Sequence, residues 1–360
     1  MYRYLHLFIL LGLTLVCQQV KSQFSIELVD SSQGQASFRG LSVVTDKVVW
    51  VSGSKGTVGL SKDAGKSWKW MQIPGFEKSD FRDIEAFDNN TAIIMASGTP
   101  AVILKTTDGG DNWKVVFRDN RPEMFLDAMD FWDKKSGMLV GDPINGRFVL
   151  LETTNGGDSW RMLDSTLCPE AHDSEAVFAA SGTSLRCWGK NKFGFVTGGK
   201  VSRLIKGVAT GKLEDYHLDN MIQGKSSQGA FSLVYDSKRF LITGGDYLCD
   251  TCMYQTLCFL HPDSMNCISA FSNVGYASCA EYIGEWTSGP RRIGYAPTLS
   301  YIITGNGATI LVIDIAHCFG STCKNEKINM GFNVVRKSKA KKSKAVFLAG
   351  SKGRIAKLNY

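Results

Sequence analysis

No stretch of 18 apolar residues occurs anywhere in the chain, which argues against a permanent transmembrane helix. No helical period of useful length occurs either, so the fold must be built from strands. An excess of one charge is nearly missing as well. The formal net charge is +7, from 41 basic and 34 acidic residues, too small a surplus to argue for nucleic acid. Metal and dinucleotide motifs are incomplete. Cys249-x-x-Cys252, with Cys258 and His261 nearby, has the outline of a zinc ligand set, but no second Cys-x-x-Cys or His pair stands at matching spacing. Gly305-Asn306-Gly307-Ala308 lacks the third glycine of a dinucleotide fingerprint. No metal and no cofactor is therefore expected.

What is present begins with a leader. Arg3 precedes the twelve-residue run Leu5 to Val16, broken only by His6, Gly12 and Thr14, and Val20-Lys21-Ser22 follows. A cation, a short apolar core and a small-residue exit make residues 1–22 a secretory signal peptide. Val16 is bulkier than the residue that lipoprotein processing prefers before a cysteine such as Cys17. The expectation is an exported protein, periplasmic or extracellular, with residues 23–360 as its mature domain. Cleavage would lower the net charge to +5 and leave nine of the ten cysteines. Export opens disulfides to them, and an odd number leaves at least one thiol free or paired between chains.

A short apolar run ending in glycine recurs seven times: Val49 to Gly53, Ile94 to Gly98, Met138 to Gly141, Phe195 to Gly198, Leu241 to Gly244, Ile302 to Gly305 and Phe347 to Gly350. Successive glycines are 45, 43, 57, 46, 61 and 45 residues apart, a period near 45 with two insertions. Each run reads as a buried strand, and the glycine as the start of a tight turn.

A second motif, Ser/Thr-x-Asp/Asn-x-Gly-x-x-Trp, follows in the first three units. Its key residues are Asp63, Gly65 and Trp68; Asp108, Gly110 and Trp113; and Asn155, Gly157 and Trp160. These octapeptides resemble the Asp-box of the bacterial neuraminidase type of repeat. The carboxylate or amide accepts backbone N–H groups, the glycine takes positive φ, and the Trp ring buries against the sheet. The box is thus a folding device and not a site. Unit five keeps only Asp263 and unit six has no box residue, while cysteines concentrate there. Disulfides in place of the box and local divergence both fit that pattern.

With an inner strand before each glycine run, each unit has four antiparallel strands. The implied fold is an all-β seven-bladed propeller, which leaves only short, protected sheet edges. The last unit supplies Val346 to Gly350 and Arg354 to Leu358 and ends one strand short. Phe24 to Val29 alternates well enough to be the missing outer strand, closing the ring beside the C-terminus.

Boxes and glycine runs together resemble the exported Asp-box propellers related to the photosystem II stability and assembly factor. Ser37 to Val44, Phe81 to Ala86, Gly141-Asp142-Pro143 with Gly146-Arg147-Phe148, and Val346 to Gly350 are similar to a bacterial branch of that family. The resemblance implies a propeller that binds a partner protein during assembly, with no established reaction. Relatives often carry Arg where Ala277 stands, and residues 249–325 diverge most.

Inner strands line a propeller's channel, and they place Arg39, Arg82, Asp83, Asp127, Arg186 and, more loosely, Glu281 at nearly equivalent positions. Converging arginines clamp carboxylates or phosphates. The expectation is a non-enzymatic monomer that binds a protein or peptide, with or without an anionic group, at the mouth of the channel. The enzyme alternative is a sialidase-like glycoside hydrolase acting on acidic sugars. It lacks the Arg-Ile-Pro phrase of that class, since Gly40-Leu41 follows Arg39, and no spacing singles out a Tyr nucleophile with its Glu among Tyr235, Tyr276, Tyr282 and Glu281. Finally, residues 336–344 pack six cations into nine positions, read as a solvated loop between strands.

Overall fold

The computed structural model describes residues 24–209, 211–261, 267–269, 275–286, 298–313 and 324–359. The leader expected over residues 1–22, and Asp263, lie outside them. Seven sheets form the ring, each with four blade strands. Blade 1 runs Phe38–Val43, Val49–Gly53, Thr57–Ser61 and Lys69–Gln72; blade 2 begins with Asp80–Ala86, blade 3 with Leu126–Phe131 and blade 4 with Leu185–Trp188. Blades 5 and 6 start at Gln228–Tyr235 and Cys279–Trp286, so the stretch with the weakest repeat still folds as two blades. One 3-10 turn, Ser165–Leu167, is the only helical element among the described residues.

Closure follows the expected route. In the seventh sheet Ser25–Asp30 lies beside Ile355–Asn359, which is followed by Val346–Ala349 and the inner strand Val334–Lys337. Ser25 pairs with Asn359 and Leu28 with Ala356, antiparallel, and Phe24 is buried just before the strand. First and last segments of the chain therefore share one sheet.

The apolar runs are continuous because middle strands are covered on both faces by neighbouring blades. Trp50, Ile84, Ile94 and Leu104 fill the seam between blades 1 and 2, and similar clusters fill the others. The glycines that end the runs answer to a different need from the one the sequence suggests. Of the seven, only Gly98 takes positive φ, at 95°. At Gly53, Gly141, Gly244 and Gly305 a Cβ atom would lie 2.3, 2.4, 1.9 and 1.9 Å from the carbonyl oxygens of Ser37, Phe125, Gly229 and Tyr276. Close approach of the incoming inner strand, not turn geometry, fixes glycine there.

The box residues behave as their chemistry suggests. Asp63 accepts the Ser67 N–H at 2.9 Å, Gly65 donates to Ser61 Oγ at 2.8 Å with φ 84°, and Trp68 Nε1 donates to Gly65 O at 3.2 Å. Two lysines then tie blades together through these turns. Lys69 Nζ donates to Gly109 O at 2.9 Å and meets Asp111, and Lys105 Nζ donates to Gly156 O and meets Asp158, both at 2.8 Å. The boxes stand on the rim, far from the channel.

Candidate functional site

Arg39, Arg82 and Asp127 hold one structural position in blades 1, 2 and 3. Each is the extra residue of a β-bulge: pairing steps from Phe38 to Gly40, from Phe81 to Asp83 and from Leu126 to Ala128. Phe231 takes the same place in blade 5, between Ala230 and Ser232. A bulge bends its strand and re-aims a side chain. Here it gathers two arginines, a carboxyl and a ring at the end of the channel bordered by the glycine turns. Arg82 Nε donates to Asp80 at 2.9 Å and its guanidinium lies 5.8 Å from the Phe125 ring centre. Burial, and then Arg82 beside it, lower the pKa of Arg39. Burial raises that of Tyr276, against the pull of Arg39. These three side chains converge on one mouth.

The channel behind that mouth is not empty. Glu175–Ala176 pairs with Gly198–Gly199, where the inner strand of blade 4 should begin, and that strand starts only at Leu185. Residues 177–184 leave the sheet between those points and arch through the channel, meeting all six other blades. Val177 N–H donates to Asp142 of blade 3 at 3.0 Å, and Arg39 of blade 1 donates to Ala180 O at 3.2 Å. Ser181 Oγ donates to Ser278 O ahead of blade 6 at 2.8 Å, and Arg336 of blade 7 to Gly182 O at 3.2 Å. Thr183 Oγ1 donates to Ser232 of blade 5 at 2.7 Å. Gly182, at φ 64°, lies so close to Asp83 of blade 2 that a Cβ would sit 2.1 Å from the carboxyl carbon. Ser181, Thr183 and Ser184 are fully buried.

This excursion changes the register of blade 4. Arg186 pairs with Gly194, four residues before Gly198, as Val43 pairs with Val49, four before Gly53. Arg186 is thus the equivalent of Val43 and lies about 13 Å deeper than Arg39 along the channel. It donates to Leu233 O at 2.9 Å and pairs with Glu281 at 3.5 Å. Burial alone would lower the pKa of Arg186, but Glu281 and Asp130 raise it; burial raises that of Glu281. The structure therefore divides the six residues singled out by sequence. Arg39, Arg82 and Asp127 share one end, Asp83 sits under the arch, and Arg186 with Glu281 forms an ion pair toward the other end.

Burial raises the pKa of three carboxyls around the arch. Burial pushes Asp83 up to about 7, although Arg336 and the N–H groups of Met129 and Ile84 oppose it. Burial pushes Asp142 up to about 6. Asp127 is fully buried, with the N–H groups of Ala179 and Asp142 directed at its carboxyl. Burial, with Asp142 nearby, raises its pKa well above the carboxylate range.

The mouth also has an apolar side that composition alone did not reveal. Phe178 of the arch stacks on Phe231 with ring centres 4.1 Å apart, and Tyr247 stands edge-on to both at 6.3 Å. Tyr247, Leu248, Met253 and Tyr254 are exposed on one loop, cross-braced by a Cys249–Cys252 disulfide. That bond commits the two sulfurs of the zinc-like spacing to each other. Cys168, Cys187 and Cys279 are free thiols. Elsewhere, a cleft of about 1100 Å³ opens between blades 3 and 4. Its buried Arg203 is fully engaged by Glu175, Asp215 and Glu170 O, which makes it a strut.

Residues 41–122 match the family described as Photosynthesis system II assembly factor YCF48. No curated protein matches the chain. Among solved structures, "YCF48 bound to D1 peptide" is similar at TM-score 0.57 and 15% identity, covering 93% of this chain and 94% of that one. YCF48 from Cyanidioschyzon merolae is similar at TM-score 0.60 and 14% identity, over 92% and 98%. The WD40 propeller domain of Doa1 matches at TM-score 0.58 and 11% identity, over 93% and 96%. Over residues 41–122 the chain is thus similar to the family of the photosystem II assembly factor YCF48, and along nearly its whole length it shares that protein's propeller fold.

Proposed function

We propose that this chain is an exported, non-enzymatic propeller that binds a peptide segment of a partner protein at the mouth bearing Arg39 and Arg82, in the manner of an assembly factor. The observation that carries the reading is the juxtaposition at that mouth of two arginines with the exposed aromatic and aliphatic side chains of the 247–254 loop. Such a surface takes a chain that offers apolar side chains and a carboxylate. A relative of the same fold, solved with a D1 peptide, supports the class of ligand. Asp83, Asp127, Arg186 and Glu281 serve the arch and the channel wall in this reading and not the ligand.

The sialidase alternative requires a triad of arginines around one sugar carboxylate. Arg186, deep in the channel and paired with Glu281, does not supply the third. Pull-down of partners with the Arg39→Ala, Arg82→Ala double variant tests the proposal: capture should fall at least tenfold, and unchanged capture would show the site to be elsewhere. Hydrolysis of a fluorogenic sialoside that disappears in Arg39→Ala would establish the enzyme instead.

A further inference from the structure

The two ends of the propeller differ in charge. Hairpins joining the first and second strands of each blade surround one end; those described span residues 44–48, 87–91, 132–136, 189–191, 236–239 and 338–345. Together they carry ten basic residues and four acidic ones, and the described turns between third and fourth strands, which hydrogen-bond to them at the same end, add three basic and four acidic, thirteen against eight in all. Turns and crossovers at the glycine end, among the described residues, carry seven of each. The surplus is also outward-facing. Lys134, Lys190, Lys341 and Lys342 are exposed; of the four hairpin acids Asp46 and Asp133 are exposed as well, and three cap their own turns. Asp88 accepts the N–H groups of Asn90 and Thr91, Asp133 those of Lys135 and Ser136, and Asp236 those of Lys238 and Arg239. The cationic run at 336–344 is therefore the largest sector of a basic face that is interrupted at blade 2, whose hairpin carries only Asp88.

One indole ring stands two residues before Lys134 and another two residues before Lys190. Trp132 is half-buried, edge-on to Phe193, with its N–H on Lys192 O; Trp188 is half-buried against Tyr235, with ring centres 5.1 Å apart. Lysines outermost and amphipathic rings at half depth form the composition suited to a lipid headgroup layer.

We propose that this end of the propeller docks on an anionic lipid surface, leaving the glycine-turn mouth facing away from it. The inference rests on a different face from the proposed peptide site and stands or falls independently of it. Residues 23–360, which contain every strand of the ring, would be sedimented with phosphatidylcholine vesicles with and without phosphatidylglycerol. Salt would be about 0.1 M and then about 1 M, between which the Debye length shrinks from about 10 to about 3 Å. Binding is expected only to the anionic vesicles and only at low salt. Lys134→Gln, Lys190→Gln, Lys341→Gln and Lys342→Gln, combined, should weaken it by about fivefold per cation removed, with the melting temperature unchanged. Lys55→Gln with Lys352→Gln, at the opposite end, should leave it intact. Absence of binding at low salt, equal loss from the opposite-end variant, or binding to soluble polyglutamate without vesicle binding would each overturn the proposal.

Discussion

Arg39 donates to the carbonyl oxygen of Ala180 at 3.2 Å, joining residues 141 positions apart across the channel. A channel-lining arginine, which sequence reasoning offers to a ligand, here has part of its hydrogen-bonding capacity taken up by the chain's own backbone. Arg336 does the same from blade 7. The arch over 177–184 thus acts as an internal hub that engages channel-lining arginines from blades 1 and 7.

Gly182 tests the hub. Its φ of 64° and the 2.1 Å approach to Asp83 leave no room for a methyl group. Gly182→Ala should cost about 2–4 kcal/mol of stability, and limited proteolysis should then cut within 177–184. A melting temperature matching wild type would show that the arch is not held as described.

Ring closure gives a second expectation. Deleting residues 23–31 removes the strand beside Ile355–Asn359 and the buried Phe24. The loss should be at least about 3 kcal/mol, from apolar burial alone, far more than trimming a frayed terminus costs. Calorimetry of the truncated chain decides it, and an unchanged transition would contradict closure.

The raised carboxyl of Asp142 gives stability a pH dependence of defined sign. Its folded pKa, about 6, exceeds the ordinary 3.8, so the folded state holds the extra proton between those values. Stability is then fullest below about pH 4 and is lost as the pH rises toward 6. Asp142→Asn keeps an acceptor for Val177 N–H and removes the titration. At pH 7 it should be about 1–3 kcal/mol more stable than wild type, and the gap should close by pH 4. A variant less stable at pH 7 would reverse the assignment.

Much of the fold was legible because seven glycine runs and three boxes repeat at a period set by the blade, and because Phe24 to Val29 alternates as an edge strand does. The reason for the glycines was not, since positive φ and close approach leave the same letter in a sequence. The arch was hidden for a related reason. Ala179-Ala180-Ser181-Gly182-Thr183-Ser184 consists of small residues without period, and its one trace is the 57-residue gap between Gly141 and Gly198. Counting through that gap placed Arg186 level with Arg39, when it lies about four residues deeper. Arg39, Arg82 and Asp127 could be grouped from their equivalent places ahead of the glycine runs, but the bulges that aim them are visible only in the pairing register.

The most direct measurement of the proposed function is photocrosslinking from single positions at the two ends of the channel. A photoreactive phenylalanine in place of Tyr247, on the mouth that bears Arg39 and Arg82, should capture a partner polypeptide from an extract of the native host, and the capture should vanish with Arg39→Ala and Arg82→Ala. The same residue in place of Trp132, at the opposite end, should capture none of that polypeptide. Equal capture from both positions, or capture at Tyr247 that is indifferent to the two arginines, would contradict a peptide site at this mouth.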